Sequence, residues 1–321
     1  MTRIKSALII GTEVSTNGFE SGGSLRIDSI KNLLENNNFE VSLASRATAK
    51  KFLNVEWDMV ILISFSTARY LRRARKRTRA LWFDPTDSWT LTRFSLFRNG
   101  DVRQILLFFR DAFWVWTCPK LDLITFITER DAESERLWWK FRQVPLILGI
   151  YGLDRQIIPG GLPRLVFVGD GAYMPNNIAV EFLVNTLAHL PSEMIIELYG
   201  RDLFTSNRRF ICHGYASATE LYRENDIHLA PITTGGGLKL KVAIPLWNGL
   251  RVVSTPEGAN GFRSSPLLRI ANNPEAFAKS LLEIMNSSLE ESLDPPRSSI
   301  YMHSNPEQIE EWLLLQNKAF E

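Results

Sequence analysis

Three consecutive glycines, Gly235, Gly236 and Gly237, stand between a run of strand-forming residues (Asp226–Ala230) and two lysines, Lys239 and Lys241. A short helix follows the lysines. Glycine carries no Cβ, so its backbone N–H groups can be approached closely by a ligand. A helix start adds positive partial charge there, and two ammonium groups add full charges. With Leu238 carried between them, these residues make a cradle suited to a diphosphate. Each glycine costs roughly 0.5–1 kcal/mol of chain entropy, which argues against a loop whose lysines merely meet water.

Other candidates stand at strand ends. In FVGDGAYMPNNIAVEFLV, Gly169 ends a strand, and Gly169, Asp170 and Tyr173 are placed to face a ligand. Asn176 and Asn177 are expected first as helix caps, worth ~1 kcal/mol. After the first strand, Gly22 and Gly23 precede a helix starting near Ser24. Their N–H groups could face a phosphate or sugar, or they could belong to an ordinary strand-to-helix loop. In WFDPTDSW, Asp84 and Asp87 follow a strand; either they face a substrate or they cap the next helix. No Asp-X-Asp triplet occurs, so no bound divalent metal is expected.

These groups must be held by regular elements. Apolar runs predict strands at Ser6–Ile10, Phe39–Ala44, Trp57–Ser64, Ala80–Phe83, Leu121–Ile127 and Pro145–Leu148, with helices over Arg26–Glu35 and Arg130–Phe141 between them. The Gly/Pro-rich stretch 151–163 reads as a linker. The pattern then restarts: strands at Arg164–Val168, Met194–Tyr199, Arg209–His213, Asp226–Ala230 and Arg251–Ser254, with helices at Asn177–His189 and Glu275–Met285. A Pro/Ser-rich stretch, 292–307, and a last helix near Glu307–Gln316 follow. Such alternation implies an α/β protein with parallel sheets covered on both faces. The expected domains are 1–150, 164–300 and a C-terminal helix within 301–321, with a ligand cleft between the first two.

Composition narrows the class. With 321 residues, 45% of them hydrophobic and 22% charged, the chain is globular and large enough for two cores. A net charge of +2 makes no general case for nucleic acid. The two cysteines, Cys118 and Cys212, lack metal-ligand spacing and fit buried thiols of a reducing compartment. No signal peptide is read at the N-terminus, and Ile105–Cys118 is too short to span a bilayer, so a cytoplasmic location is expected.

Arg69, Arg72, Arg73 and Lys76 fall on one helical stripe, most simply a solvated face. Close by in sequence, Phe108, Phe109, Phe113, Trp114 and Trp116 crowd together with arginines. Most of these aromatics are expected in the core. The arginines stay available to an anionic membrane surface or a lipid-linked phosphate.

The order VFVGDGAYMPNN, then FICHGYASATELYRENDIHLAPITTGGGLKLKV, then NGLRVVSTPEGANGF resembles the family 4 retaining glycosyltransferases of GT-B fold. In the first half, GGSLRIDSIKNLLENNNFEVSLAS and LDLITFITERDAESERL followed by VPLILGIYGLD are similar to the same family. The likeness covers nearly the whole chain apart from an aromatic insertion around Phe94–Trp116. It implies two Rossmann-like parallel-sheet domains facing across a cleft, with a C-terminal helix crossing back to the N-terminal domain. It places Gly235–Gly237 and Lys239 at the donor diphosphate, Gly214 and Tyr215 at the nucleobase, and Glu257, Gly258 and Gly261 on a loop facing the donor.

One departure stands out. The family's ribose-binding glutamate is replaced by Ile244, Gly236 takes the acidic position eight residues earlier, and Pro245 interrupts the helix. Glu257 is then the remaining candidate for the ribose. The resulting expectation is a hexosyltransferase using a UDP-sugar such as UDP-glucose, with retention and without metal or other cofactor, on a glycan or lipid-linked saccharide of surface or extracellular polysaccharide. Lys239 and the carboxylates Asp84 and Asp87 are its catalytic candidates. A non-catalytic scaffold that binds nucleotide or glycan, and a nucleotide-sugar epimerase, stay open as alternatives.

Overall fold

The computed structural model describes residues 5–12, 21–98, 100–139, 145–215, 218–287 and 300–320, without the side chains of 137–139, 218 and 219. They divide into two units. One holds Met1–Gly152 and His303–Glu321; the other holds Leu153–Met302.

The first unit carries strands β1 (Lys5–Gly11), β2 (Phe39–Ser45), β3 (Trp57–Ile63), β4 (Thr78–Thr86), β5 (Leu123–Phe126) and β6 (Leu146–Ile147). They form one parallel sheet in the order β2-β1-β3-β4-β5-β6. Its helices are α1 (Gly22–Asn36), α2 (Ala49–Phe52), α3 (Leu71–Arg75), α4 (Trp89–Arg98), α5 (Gln104–Trp116) and α6 (Glu129–Trp139). The central strands read as unbroken apolar runs because both faces are covered. Alternate residues serve opposite sides: Ile9, Ile61 and Trp82 pack with Ile27 and Ile30 of α1, while Leu8, Leu62 and Phe83 pack with Leu71 and Ala74 of α3.

The second unit repeats the scheme with β7 (Leu165–Val168), α7 (Met174–Leu187), β8 (Ile196–Tyr199), β9 (Phe210–Gly214), α8 (Ala218–Leu221), β10 (Ile227–Ala230), α9 (Leu240–Trp247), β11 (Arg251–Ser254), β12 (Leu268–Ile270) and α10 (Pro274–Asn286). The sheet is again parallel, in the order β12-β11-β10-β7-β8-β9. Leu183 of α7 and Phe277 and Leu281 of α10 close one core against Phe167, Leu198 and Leu229. In each sheet the strand order reverses beside the unit's first strand, at β1/β3 and at β7/β10, and parallel sheets open a crevice for ligands at such points.

The final helix, α11 (Pro306–Phe320), belongs to the first unit. Its Ile309 and Leu313 are fully buried, and Trp312 meets Trp82 edge-on at 6.1 Å. Asn305 and Ser304 lead into it by bonding the backbone of Ile147 and Gly149.

The chain departs from the sequence expectations in several places. Residues 153–163, read as a linker, lie in the second unit: Leu153 is fully buried, and the Arg155 amide donates to Asn248 Oδ1 at 2.9 Å. The strand β12 was not anticipated, because three residues carry too little periodicity. The aromatic insertion folds as α4 and α5, and its aromatics are not mainly core. Phe109, Phe113 and Trp116 are 66%, 52% and 79% exposed, and Phe108 and Trp114 are half-buried. The helix instead turns Gln104, Asp111 and Val115 inward, with Arg93 of α4 and Arg110 neutralising Asp111. Cys212 is exposed on β9 and Cys118 is half-buried, so the pair are not two buried thiols. The predicted helix end at Phe141 and the Pro/Ser-rich stretch up to 299 lie outside the described residues.

Candidate functional site

The exits of β7 and β10 flank the reversal point of the second sheet, and the two loops meet there. After β7, Gly169 donates its N–H to Tyr199 O at 2.9 Å, which closes the strand. Asp170 then folds back on its own loop. Its carboxylate accepts from the Ala172 amide at 2.9 Å and from Arg201 at 2.6 Å. These donors hold the Asp170 carboxyl below the usual carboxylate range. Tyr173 precedes the first turn of α7 and is 55% exposed.

Asn176 and Asn177 lie inside α7 and are not its cap. The Asn176 amide donates to Asp170 O, and that of Asn177 to Gly171 O, each at 2.8 Å. Pro175 early in the helix is compatible with its missing N–H, since first-turn amides have no intrahelical acceptor.

After β10 comes the glycine turn. Gly235 and Gly237 have φ of +109° and +71°, a region that side chains with a Cβ rarely adopt. Lys239 is the residue preceding α9, and its ammonium donates to Gly236 O at 2.5 Å and to Gly237 O at 2.9 Å. In this state it holds the turn closed by its own carbonyls. A Cβ built on Gly235 would lie 3.5 Å from Tyr173 Oη and 4.0 Å from Lys239 Nζ, so the two loops converge on Gly235.

Lys241 makes the second bridge between these loops. The residue is half-buried as a whole, and its ammonium donates to Asn176 Oδ1 at 2.6 Å and sits 4.5 Å from the centre of the Phe167 ring. Among the described residues no carboxylate pairs with it. Burial, with the nearby Lys239 charge, pushes its pKa down to about 7. The site therefore holds a lysine on the edge of losing its proton, next to amides and a second ammonium. That arrangement favours an incoming anion. Asn176 was read from the sequence as a cap; its tie to Lys241, 65 positions on, left no local signal.

Two neighbouring loops complete this end of the sheet. Gly214 ends β9 with φ +68° and accepts from the Gly200 amide at 2.6 Å; Tyr215, beside it, is 56% exposed. After β11, Ser254 Oγ donates to Ala230 O at 3.0 Å and the Thr255 hydroxyl donates to Ile232 O. The Gly258 amide returns a bond to Thr255 Oγ1 at 3.1 Å. A Cβ on Gly258 would lie 2.5 Å from Ala230 O, so glycine permits this close approach. Glu257 is half-buried in that loop. In α9, Ile244 is 8% exposed and Pro245 sits inside the helix.

The first unit places its candidates differently. Gly22 and Gly23 are the opening residues of α1, behind a reciprocal cap in which Ser24 N donates to Ser21 Oγ at 3.1 Å and Ser21 N to Ser24 Oγ at 2.8 Å. The loop before them, 13–20, lies outside the described residues. Asp84 is fully buried and cannot reach a substrate, which corrects its assignment. Its carboxylate pairs with the equally buried Arg26 at 2.5 Å and accepts from the Thr125 hydroxyl. Arg26 also donates to Leu148 O and, at 2.7 Å, to Gly149 O, so the network ties the exits of β4 and β6 to α1. Asp87 is half-buried in the loop after β4. Asp84, committed to Arg26 and Thr125, does not cap α4. That role falls to Ser88, whose Oγ accepts from Leu91 N at 3.0 Å while Glu135 accepts from Thr90 N at 3.0 Å.

No protein-family model matches the chain, and no curated protein matches it in sequence. Solved structures do match it. The chain is similar to the lipopolysaccharide outer core galactosyltransferase WaaB in its apo form, at 12% identity over 98% of each chain and a TM-score of 0.54. It is similar to HepE of Anabaena in complex with UDP, at 12% identity over 98% of each chain and a TM-score of 0.56. The glycotransferase of kitacinnamycin matches at 13% identity over 98% of this chain and 99% of its own, with a TM-score of 0.54. What is shared at this identity is architecture. The chain has the GT-B fold, with its two Rossmann-like parallel-sheet units.

Proposed function

We propose that this GT-B chain is a glycosyltransferase whose second unit holds the diphosphate of a nucleotide sugar. The observation that carries the reading is the turn at Gly235–Lys241, where positive-φ glycines, the start of α9 and two ammonium groups meet at the exit of β10. The UDP bound in the HepE structure of the same fold supports it. We assign the donor as a UDP-hexose, UDP-glucose first, and the acceptor as a glycan or lipid-linked saccharide of surface polysaccharide.

The chemistry asks little of acids and bases. As the bond from the anomeric carbon to the diphosphate oxygen breaks, negative charge grows on the departing UDP. Preorganised N–H groups of the turn, with Lys239 and Lys241, stabilise that charge without a metal ion. Lys239 would exchange its bonds to Gly236 O and Gly237 O for the phosphate oxygens, which opens the turn to the ligand. Gly169, Asp170 and Tyr173 line the β7 side, with Gly214 and Tyr215 beside the base and Glu257 toward the ribose. On the first unit we assign the Gly22–Gly23 amides to the donor and Asp87 to the donor sugar or the acceptor. Retention of configuration follows the family resemblance.

A non-catalytic nucleotide-binding scaffold is the second reading, favoured by buried Ile244 where the family carries its ribose-binding glutamate. Incubation with a panel of nucleotide sugars, with and without glycan acceptors, separates the two by released UDP. Turnover with any donor removes the scaffold. Calorimetry that finds no UDP binding to the intact chain removes both.

A further inference from the structure

We infer that the helical hairpin α4–α5 is a membrane-docking surface that lies on an anionic lipid bilayer, with its apolar stripe in the headgroup region. On α5, Ile105, Leu106, Phe109, Phe113 and Trp116 are 46%, 76%, 66%, 52% and 79% exposed. At ~100° per residue these positions fall within one arc of about 100°, while Gln104, Asp111 and Val115 occupy the opposite, buried arc. Phe94 of α4, 60% exposed, extends the patch. Large exposed apolar side chains on one face mark an interaction site rather than scattered surface.

Charge selects the occupant. Residues 65–120 carry twelve Arg and Lys against four Asp, whereas the whole chain is only +2, so the rest of the molecule is net negative. Arg103 and Arg110 follow the apolar arc around α5, more than half exposed and paired with Asp101 and Asp111. Arg98 stands over the Phe94 ring, and Arg72 donates to Thr117 O at the end of α5. Arg69, Arg72, Arg73 and Arg98 meet neutral acceptors or rings, and among the described residues no carboxylate neutralises them. An aromatic stripe bordered by unneutralised arginines is the pattern of a helix in the plane of an anionic interface. No helix among the described residues is long and apolar enough to cross a membrane, so the contact is lateral. A second copy that paired this face with itself would set one basic region against another, so like charges would oppose it.

The test uses the full chain and sedimentation with vesicles of mixed phosphatidylglycerol and phosphatidylcholine, against phosphatidylcholine alone. The chain is expected to sediment with the mixed vesicles, less at high salt, and poorly with the neutral ones. The variant F109S/F113S/W116S replaces only exposed side chains and should lose at least ~10-fold in partition. The pair R72E/R98E should lose ~10-fold with the apolar stripe intact. Circular dichroism and Tm like the parent's establish that both variants fold. Absence of vesicle binding by the parent, equal binding to neutral vesicles, or unchanged partition of the triple variant would each overturn the inference. So would a concentration-dependent dimer abolished by the triple variant without any vesicle binding, which would make a second copy the occupant.

Discussion

Lys241 offers a prediction that can be worked through from its surroundings. In the free protein its pKa is down to about 7, so about half the molecules carry the charge at pH 7. Donor diphosphate beside the ammonium would keep it protonated in the complex. Binding at pH 7 should then take up about half a proton. Above that pH the free lysine is neutral and each further unit should cost about tenfold in affinity. From pH 7 to pH 9 the loss is ~50-fold, or about 2.3 kcal/mol. The sign is definite: affinity is full below the free pKa and falls as pH rises through it. UDP-glucose is the right probe, because its diphosphate has no proton to gain in this range. Calorimetry at pH 7 in two buffers of different ionisation enthalpy should give heats that differ by half that difference. Lys241→Met should bind more weakly and lose the slope. Equal heats in both buffers together with flat affinity up to pH 9 would refute the placement of Lys241 at the diphosphate.

Three further outcomes follow from the geometry. Lys239→Ala should weaken UDP binding by ~1.5–3 kcal/mol, read by calorimetry, as expected for the loss of one charge-assisted contact; unchanged affinity would remove Lys239 from the site. Arg26→Leu leaves the Asp84 carboxylate buried without its partner and should cost ~3–5 kcal/mol in urea unfolding. A folded Asp84→Asn protein with unaltered stability but no turnover would contradict the purely structural role. His228 is buried, stacked 5.3 Å from Tyr222, and its pKa is pushed down from 6.5 to about 3 by burial and by Arg164. Below pH 6.5 the unfolded chain takes a proton that the folded one refuses. Stability should therefore be about 1.4 kcal/mol lower at pH 5.5 than at 7.5 from this group alone, a difference that His228→Phe should remove.

Local chemistry was legible in the chain. The strands of both sheets announce themselves as apolar runs because parallel sheets are covered on both faces, and β11 was placed at Arg251–Ser254 to the residue. The glycines at 235–237 could be read because a left-handed turn leaves a compositional mark. Other features depended on partners far along the chain. Asp84 and Asp87 are alike in sequence, yet Asp84 is fully buried against an arginine 58 residues away while Asp87 is only half-buried. The tie between Asn176 and Lys241 exists because β7 and β10 are neighbours in the sheet. For α5, apolar residues occupy two arcs of one helix, and periodicity cannot tell which arc faces the domain. Propensity and turn chemistry act within a few residues and are written in the chain. Pairing, burial and the proton affinity they set are long-range, and only the packed structure decides them.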